Sequence, residues 1–241
     1  LCDEGIWSTK LGLPSTPAAA EVMAVGRDIA LAELTGQRLH LSRISTRAAL
    51  ELVGQAKDRG APVTCDVTAH HLTLTTAALA DYDPNTRVWP PLRSQEDLDF
   101  LRAGLSSGLI DAVISDHQPH HQEDKAHEFP VAASGISALE TVAPLLLERV
   151  EAGDLTPLEL VRLLSAGPMA CLGLEPQGLA AGHVADLSVL DPNRPWTVTA
   201  DSLMSRGKNS PFINKTFDGR ATLTLVAGSI VYQAPSPEEM R

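Results

Sequence analysis

The sequence predicts an α/β fold built from parallel βα units, followed by a small β-rich portion. Between residues 38 and 116, short apolar segments alternate with segments of helical periodicity, which is typical of βα units. After about Gly178 the chain holds short β-type segments separated by Gly and Pro. Only about three parallel strands are visible, and three strands do not close a barrel, so we expect further chain to lie beside them.

Composition excludes several classes of partner. The chain has 19 basic and 30 acidic residues and a formal net charge of -11; without a basic run, nucleic acid is not expected as a partner. Three widely spaced cysteines argue against a disulfide framework and fit a reducing compartment. No stretch is apolar enough to span a membrane. We therefore expect a cytoplasmic protein with no membrane partner.

The first half of the chain is predicted to alternate strands and helices. Residues 1–16 look loop-like and lack an initiator Met, so we expect a fragment whose own N-terminal part is missing. A helix should follow that loop, starting with Thr16 as cap and Pro17 at the first helical position, and ending near Gly36. Two further strands are predicted at residues 38–44 and 62–67, with a helix between them that is capped by Ser45 and ends at Gly60.

The second half begins with a rigid extended turn, Trp89 to Arg93, and a helix capped by Ser94. A strand ending at Asp116 and a polar loop over residues 117–135 come next. Two capping boxes are predicted after this loop, Ser137 with Glu140 (in a helix that Pro144 should kink) and Thr156 with Glu159. Further strands are predicted at 185–190, 196–198, 221–226 and 229–232, the last two joined by a hairpin at Ala227-Gly228.

The segment after the third parallel strand carries most of the candidate chemistry. Asp116 ends an apolar run, and His117, His120 and His121 follow it closely. Carboxylates and imidazoles at the C-terminal end of a parallel strand form polar sites, and a hydrolytic metal site needs three or more such ligands. A carboxylate held only by loop amides would look the same in sequence.

Other polar residues have simpler interpretations. Strand alternation places His40 on the face opposite Arg43, so we expect a hydrogen-bonded histidine of the core or of a helix-facing surface. His70 and His71 are adjacent and must diverge, so at most one of them faces a site. Cys65 lies within a strand and is predicted to be a core residue.

Several stretches together resemble the dihydroorotase family of the amidohydrolase superfamily, over nearly the whole chain. They are Leu11-Gly12-Leu13-Pro14 with Ala20-Glu21, Arg43-Ile44-Ser45-Thr46, Val67-Thr68-Ala69-His70-His71-Leu72, Pro90-Pro91-Leu92-Arg93, Asp116-His117-Gln118-Pro119-His120, Gly135-Ile136-Ser137-Ala138-Leu139-Glu140, Gly182-His183-Val184-Ala185-Asp186-Leu187 and Asn209-Ser210-Pro211-Phe212.

The resemblance implies the C-terminal portion of a TIM-type (β/α)8 metallo-dependent hydrolase barrel over residues 1–177. It also implies part of a small β-sandwich over residues 178–234, and residues 235–241 are then a flexible tail. Active members hold one or two zinc ions at the C-terminal face of the barrel, where a metal-bound hydroxide attacks a cyclic amide. In this pattern Asp116 corresponds to a metal ligand and proton shuttle, and His120 and Arg93 to substrate-binding residues.

Two departures from the family pattern bear on activity. Arg43 stands where the family has a metal-ligand histidine, and a guanidinium has no lone pair to donate. Trp89 replaces an asparagine that contacts substrate. The other expected metal ligands lie upstream of Leu1, so under this interpretation Asp116 is the one expected metal ligand that remains in this chain. We expect Arg43 and Asp116 to form a bidentate pair across the former metal position.

The resemblance with these departures predicts a dihydroorotase-like protein of pyrimidine biosynthesis without catalytic activity or cofactor. Its expected partner is the catalytic chain of aspartate transcarbamoylase. One alternative is an active zinc-dependent dihydroorotase, or a relative acting on another cyclic amide, that converts dihydroorotate and water to carbamoyl aspartate. A third possibility is a protein that binds a metabolite in the retained pocket without turnover.

Overall fold

The computed structural model describes residues 1–176 and 178–235, and its regular elements follow the predicted alternation. The helices are α1 (Ile6–Leu11), α2 (Ala18–Thr35), α3 (Arg47–Asp58), α4 (Gln95–Ser106), α5 (Gln122–Lys125), α6 (Val142–Glu151), α7 (Pro157–Val161) and α8 (Gly167–Cys171). The strands are β1 (Cys2–Asp3), β2 (Ser15–Thr16), β3 (Leu39–Leu41), β4 (Val63–Thr68), β5 (Ala112–Ile114), β6 (Leu187–Asp191), β7 (Trp196–Thr197), β8 (Thr216–Phe217), β9 (Arg220–Val226) and β10 (Ser229–Gln233).

A parallel three-stranded sheet in the order β3-β4-β5 carries the candidate site. Alternation along β4 buries Val63, Cys65 and Val67 among the helices, while Thr64 and Asp66 lie on the other face. Burial also raises the pKa of the Cys65 thiol to about 12. The predicted parallel βα units and the core position of Cys65 are thus confirmed.

Helix α3 packs its apolar stripe onto this sheet and against α2. Its buried residues are Ala49, Leu50, Val53 and Ala56. Helix α4 approaches α3 closely at Gly104, where an added Cβ would lie 3.0 Å from a Leu50 methyl group. These helices cover one face of the sheet. Because all three strands run the same way, their carboxyl ends lie together at one edge.

The predicted helix starts are wrong by a residue or more at three places. Pro17, not Thr16, occupies the cap position of α2, without a side-chain cap bond. Thr46, not Ser45, caps α3 through the Ala49 amide, because Ser45 is bound instead to the Glu21 carboxylate. Helix α6 begins at Val142, which puts Pro144 in its first turn, where a proline requires no kink.

Two predicted loops contain regular structure. Residues 1–16 hold α1 and the short parallel pair of β1 with β2, and the 117–135 segment holds α5. The predicted Ser137 and Glu140 capping box is absent: the Ser137 hydroxyl donates to the Gly207 carbonyl, and Glu140 accepts from the amides of Met204 and Ser205. These contacts connect the candidate-site region to the C-terminal part of the chain.

The C-terminal part contains an antiparallel sheet, β10-β9-β6, with the predicted hairpin at Ala227 and Gly228. Both turn residues have positive φ, as a two-residue hairpin turn requires. Trp196, Phe212 and Phe217, by contrast, belong to the main hydrophobic core. The division at residue 178 stays a prediction, and residues 236–241 of the predicted tail lie outside the described residues.

Among the described residues, no helix is both long and apolar enough to cross a membrane.

Candidate functional site

Arg43 and Asp116 face each other just beyond the ends of β3 and β5. Their closest charged atoms, Arg43 Nη1 and Asp116 Oδ1, are 3.7 Å apart. Both residues have left-handed backbones, with φ of 64° and 46°. This conformation is unfavourable for side chains with a Cβ and occurs disproportionately at functional sites. The predicted proximity of the two charges is confirmed.

The predicted bidentate geometry is wrong. A separation of 3.7 Å exceeds hydrogen-bonding distance, so the two groups interact as charges only. Asp116 Oδ1 accepts a 3.0 Å bond from Gln118 Nε2, and Arg43 Nη1 donates to the Trp89 carbonyl at 3.0 Å. The Trp89 side chain itself is exposed. Neighbouring groups therefore compete for the atoms that a bidentate pair would need.

Asp66, which the sequence interpretation missed, fixes the turn that presents Arg43. Its buried carboxylate accepts the Arg43 amide at 2.7 Å, the Ser42 hydroxyl at 3.0 Å and a bond of 2.8 Å from His40 Nε2. The other His40 nitrogen bonds Thr64 at 2.8 Å. His40 is thus hydrogen-bonded as predicted, but it is an exposed residue and does not lie in the core. Strand alternation could have indicated this role of Asp66 from the sequence, since Thr64 and Asp66 share a face of β4.

His70 and His71 are both buried, but among the described residues only the His71 ring has hydrogen-bond partners. Its Nδ1 pairs with the Thr68 hydroxyl at 2.7 Å and its Nε2 with the Pro91 carbonyl at 3.2 Å. Burial lowers the pKa of His71 to about 4. Neither ring nitrogen of His70 has a partner in the described part of the chain. Burial, then the charges of His71 and Arg43, lower the pKa of His70 well below its usual value, so its imidazole is neutral.

Two histidines that follow β5, His117 and His120, form hydrogen bonds that hold the loop. His117 Nδ1 accepts from the amides of Ala138 and Leu139, each at 3.1 Å. His120 donates from Nε2 to the Ser134 carbonyl at 2.8 Å, and its amide donates to Asn209 Oδ1 at 2.8 Å. His120, the predicted substrate ligand, is therefore held by loop contacts and is half-buried; its contact with substrate stays a prediction.

Arg93 is enclosed by protein contacts. Its side chain is 4% exposed, and its three nitrogens donate to Ser45 Oγ, Asp3 and Glu21. Burial raises the pKa of the Asp3 carboxyl despite its contact with Arg93, which reflects the cost of removing these charges from water. The described geometry gives Arg93 a structural role, and its predicted contact with substrate stays a prediction.

The donors of this site do not fit a zinc ion as they stand. A catalytic zinc requires three protein ligands. His70 and Asp116 carry donor atoms just beyond the ends of the neighbouring strands β4 and β5, but the part of the chain that the structure describes has no group of three histidine, cysteine or carboxylate side chains suited to a metal. Arg43 places a permanent positive charge 3.7 Å from the Asp116 carboxylate, where it competes with a cation.

Sequence comparison places residues 30–231 in the amidohydrolase family. A dihydroorotase of Pelobacter propionicus is 46% identical over 231 residues, which are 96% of this chain and 54% of that protein. A dihydroorotase of Geobacter sp. strain M21 is 47% identical, over 96% of this chain and 55% of that protein. The chain thus spans about half the length of the curated relatives that it matches.

Solved structures match the fold as well. The L-hydantoinase (dihydropyrimidinase) of Arthrobacter aurescens superposes with a TM-score of 0.84 at 33% identity, covering 89% of this chain and 49% of that one. The D-hydantoinase (dihydropyrimidinase) of a Thermus species gives a TM-score of 0.83 at 26% identity, covering 95% of this chain and 51% of that one. The fold is therefore the C-terminal part of a TIM-type metallo-hydrolase barrel, as the sequence predicted.

Replacing Arg93 with leucine should destabilise the protein strongly. The substitution leaves the carboxylates of Asp3 and Glu21, whose side chains are 13% and 12% exposed, without their cation. Breaking a buried pair in this way costs about 3–5 kcal/mol of unfolding free energy. Urea unfolding of Arg93→Leu measures the loss. Arg59→Leu, which removes a surface pair with Glu33, is the control and should lose at most about 1 kcal/mol; equal losses would contradict a structural role for Arg93.

Acidification should destabilise the fold through His71. The unfolded imidazole takes up a proton near its ordinary pKa, about 6.5, whereas the folded one does so only at about 4. Between those values the unfolded state binds more protons, so stability falls as pH falls, by up to about 3 kcal/mol. We expect His71→Gln to flatten this part of the profile of unfolding free energy against pH. The exposed His127→Gln should follow the parent protein, and an unchanged slope in His71→Gln would refute the assignment.

Proposed function

The chain belongs to the dihydroorotase family of amidohydrolases, and from this membership we propose a dihydroorotase-like protein of pyrimidine biosynthesis whose own pocket is catalytically inactive. The observation that carries the proposal is the Arg43 guanidinium, 3.7 Å from the Asp116 carboxylate. Its position is not accidental, because Asp66 holds the Arg43 backbone and the Trp89 carbonyl holds its side chain.

Coulomb's law gives the size of the repulsion between the Arg43 charge and a metal ion. Two unit charges 4 Å apart interact by about 4 kcal/mol at an effective dielectric constant of 20. A divalent cation at a similar distance from Arg43 would therefore be opposed by roughly 8 kcal/mol. The guanidinium also neutralises Asp116, the carboxylate that such a cation would need. Unless Arg43 moved away, zinc affinity would be reduced by several orders of magnitude.

An active dihydroorotase or related cyclic amide hydrolase is the second candidate, and one observation favours it. His70 is buried with two ring nitrogens that have no partner among the described residues, and an unsatisfied buried imidazole is costly unless something binds it. This candidate needs further ligands from outside the described residues and a different position for Arg43.

Zinc content separates the two candidates. We expect the intact native protein, grown with zinc and purified, to hold well under one equivalent of metal. Arg43→His exchanges the competing cation for a neutral donor and should raise zinc content several-fold in the same measurement. Arg59→His, at an exposed position, is the control and should match the parent. Stoichiometric zinc in the parent, with carbamoyl aspartate cyclisation that Asp116→Ala abolishes, would exclude the inactive pocket.

We further propose that the intact protein assembles with the catalytic chain of aspartate transcarbamoylase. The support is the family resemblance together with the change at Arg43, since noncatalytic members of this family serve as partners of that enzyme. Light scattering after size exclusion should detect a complex of both chains, formed equally well by the parent and by Asp116→Ala because assembly does not require the pocket. Two separate peaks at micromolar concentrations would contradict the proposal.

A further inference from the structure

The Arg43 guanidinium keeps one edge free. Nη1 is used by the Trp89 carbonyl and lies nearest to Asp116. In the described part of the chain, Nε and Nη2 make no hydrogen bond, and the side chain is 35% exposed. The Nε–Nη2 edge presents two parallel N–H groups, the geometry that matches the two oxygens of a carboxylate or phosphate. The absence of a bidentate bond to Asp116 leaves this edge available.

His70 supplies a second, independent indication of a ligand. The residue is 1% exposed and lies just beyond the end of β4, the strand next to β3 and Arg43. Neither of its ring nitrogens has a partner in the described residues. A neutral imidazole offers one N–H donor and one lone pair. Leaving both unused in a buried position costs free energy that a bound polar group would recover. Both ring nitrogens of the adjacent His71 are hydrogen-bonded, so within this pair the unused donor and acceptor belong to His70.

We propose that Arg43 and His70, which follow neighbouring strands, together bind a small oxyanion through the free guanidinium edge and the imidazole N–H. The proposal rests on the proposed inactive pocket, because a zinc ion there would take the same His70 and Asp116 atoms. Arg43 supplies the positive charge, and His70 adds an N–H donor. Asp116 does not occupy the free edge, because its Oδ1 is bonded to Gln118. The ligand class is a carboxylate or a phosphate group on a small molecule.

Calorimetric titration of the intact protein tests this site, both before and after EDTA treatment to remove metal, with malonate and inorganic phosphate as separate probes. We expect one equivalent of at least one probe to bind, and the stronger heat identifies a carboxylate or a phosphate site. Arg43→Gln should weaken binding at least about tenfold, because charge-assisted hydrogen bonds are lost. Arg43→Lys keeps the charge but not the fork, so it should bind with intermediate affinity. Arg59→Gln, a surface variant, should bind as the parent does.

The outcomes distinguish this inference from the proposed function. Binding that survives EDTA and is lost in Arg43→Gln supports the site. Absence of binding in a protein that also lacks zinc overturns the oxyanion site alone and leaves the inactive pocket standing. Binding that disappears on EDTA treatment means that a metal holds the anion, which overturns both. Equal affinity of Arg43→Gln and the parent places the anion elsewhere and overturns the inference. Should Arg43→Gln fail to fold, the intermediate affinity expected of Arg43→Lys decides the question.

Discussion

A permanent positive charge, held at the edge where three parallel strands end, determines what this site can do. Asp66 accepts the Arg43 amide and stabilises a left-handed backbone there. That turn places the guanidinium against Asp116. A carboxylate at the end of a barrel strand is ordinarily available to a cation or a proton; here an arginine that follows β3, on the far side of β4, lies 3.7 Å from it.

Most other polar side chains around this edge are used by the fold. Arg93 joins Ser45, Asp3 and Glu21 in a buried cluster. His117 and His120 bond loop backbone. Two groups stand apart, the free edge of the Arg43 guanidinium and the His70 imidazole, which has no partner among the described residues. Residues kept from a family pattern can therefore have structural roles, and the chemistry depends on the few groups that the fold leaves unbonded.

Sequence reasoning predicted the framework and the pairing of charges, but not the local geometry. The parallel βα units follow from hydrophobic periodicity. The proximity of Arg43 to Asp116 was expected from the family resemblance, which places both at one metal position, although β4 separates their strands in the sheet. The bidentate pair was wrong because Trp89 and Gln118 compete for the same atoms, through contacts distant in sequence or dependent on rotamers. Ser45 was mistaken for a cap because Glu21, on another helix, binds it. Asp66 was missed because its role requires knowing which strand faces coincide.

The most direct test is a crystal structure of the intact protein grown with zinc, with diffraction data collected on both sides of the zinc absorption edge. The inactive-pocket account predicts Arg43 beside Asp116, as described here, and no anomalous peak between His70 and Asp116. An anomalous peak at about 2.0–2.2 Å from a His70 nitrogen and an Asp116 oxygen, with Arg43 turned away, would contradict it.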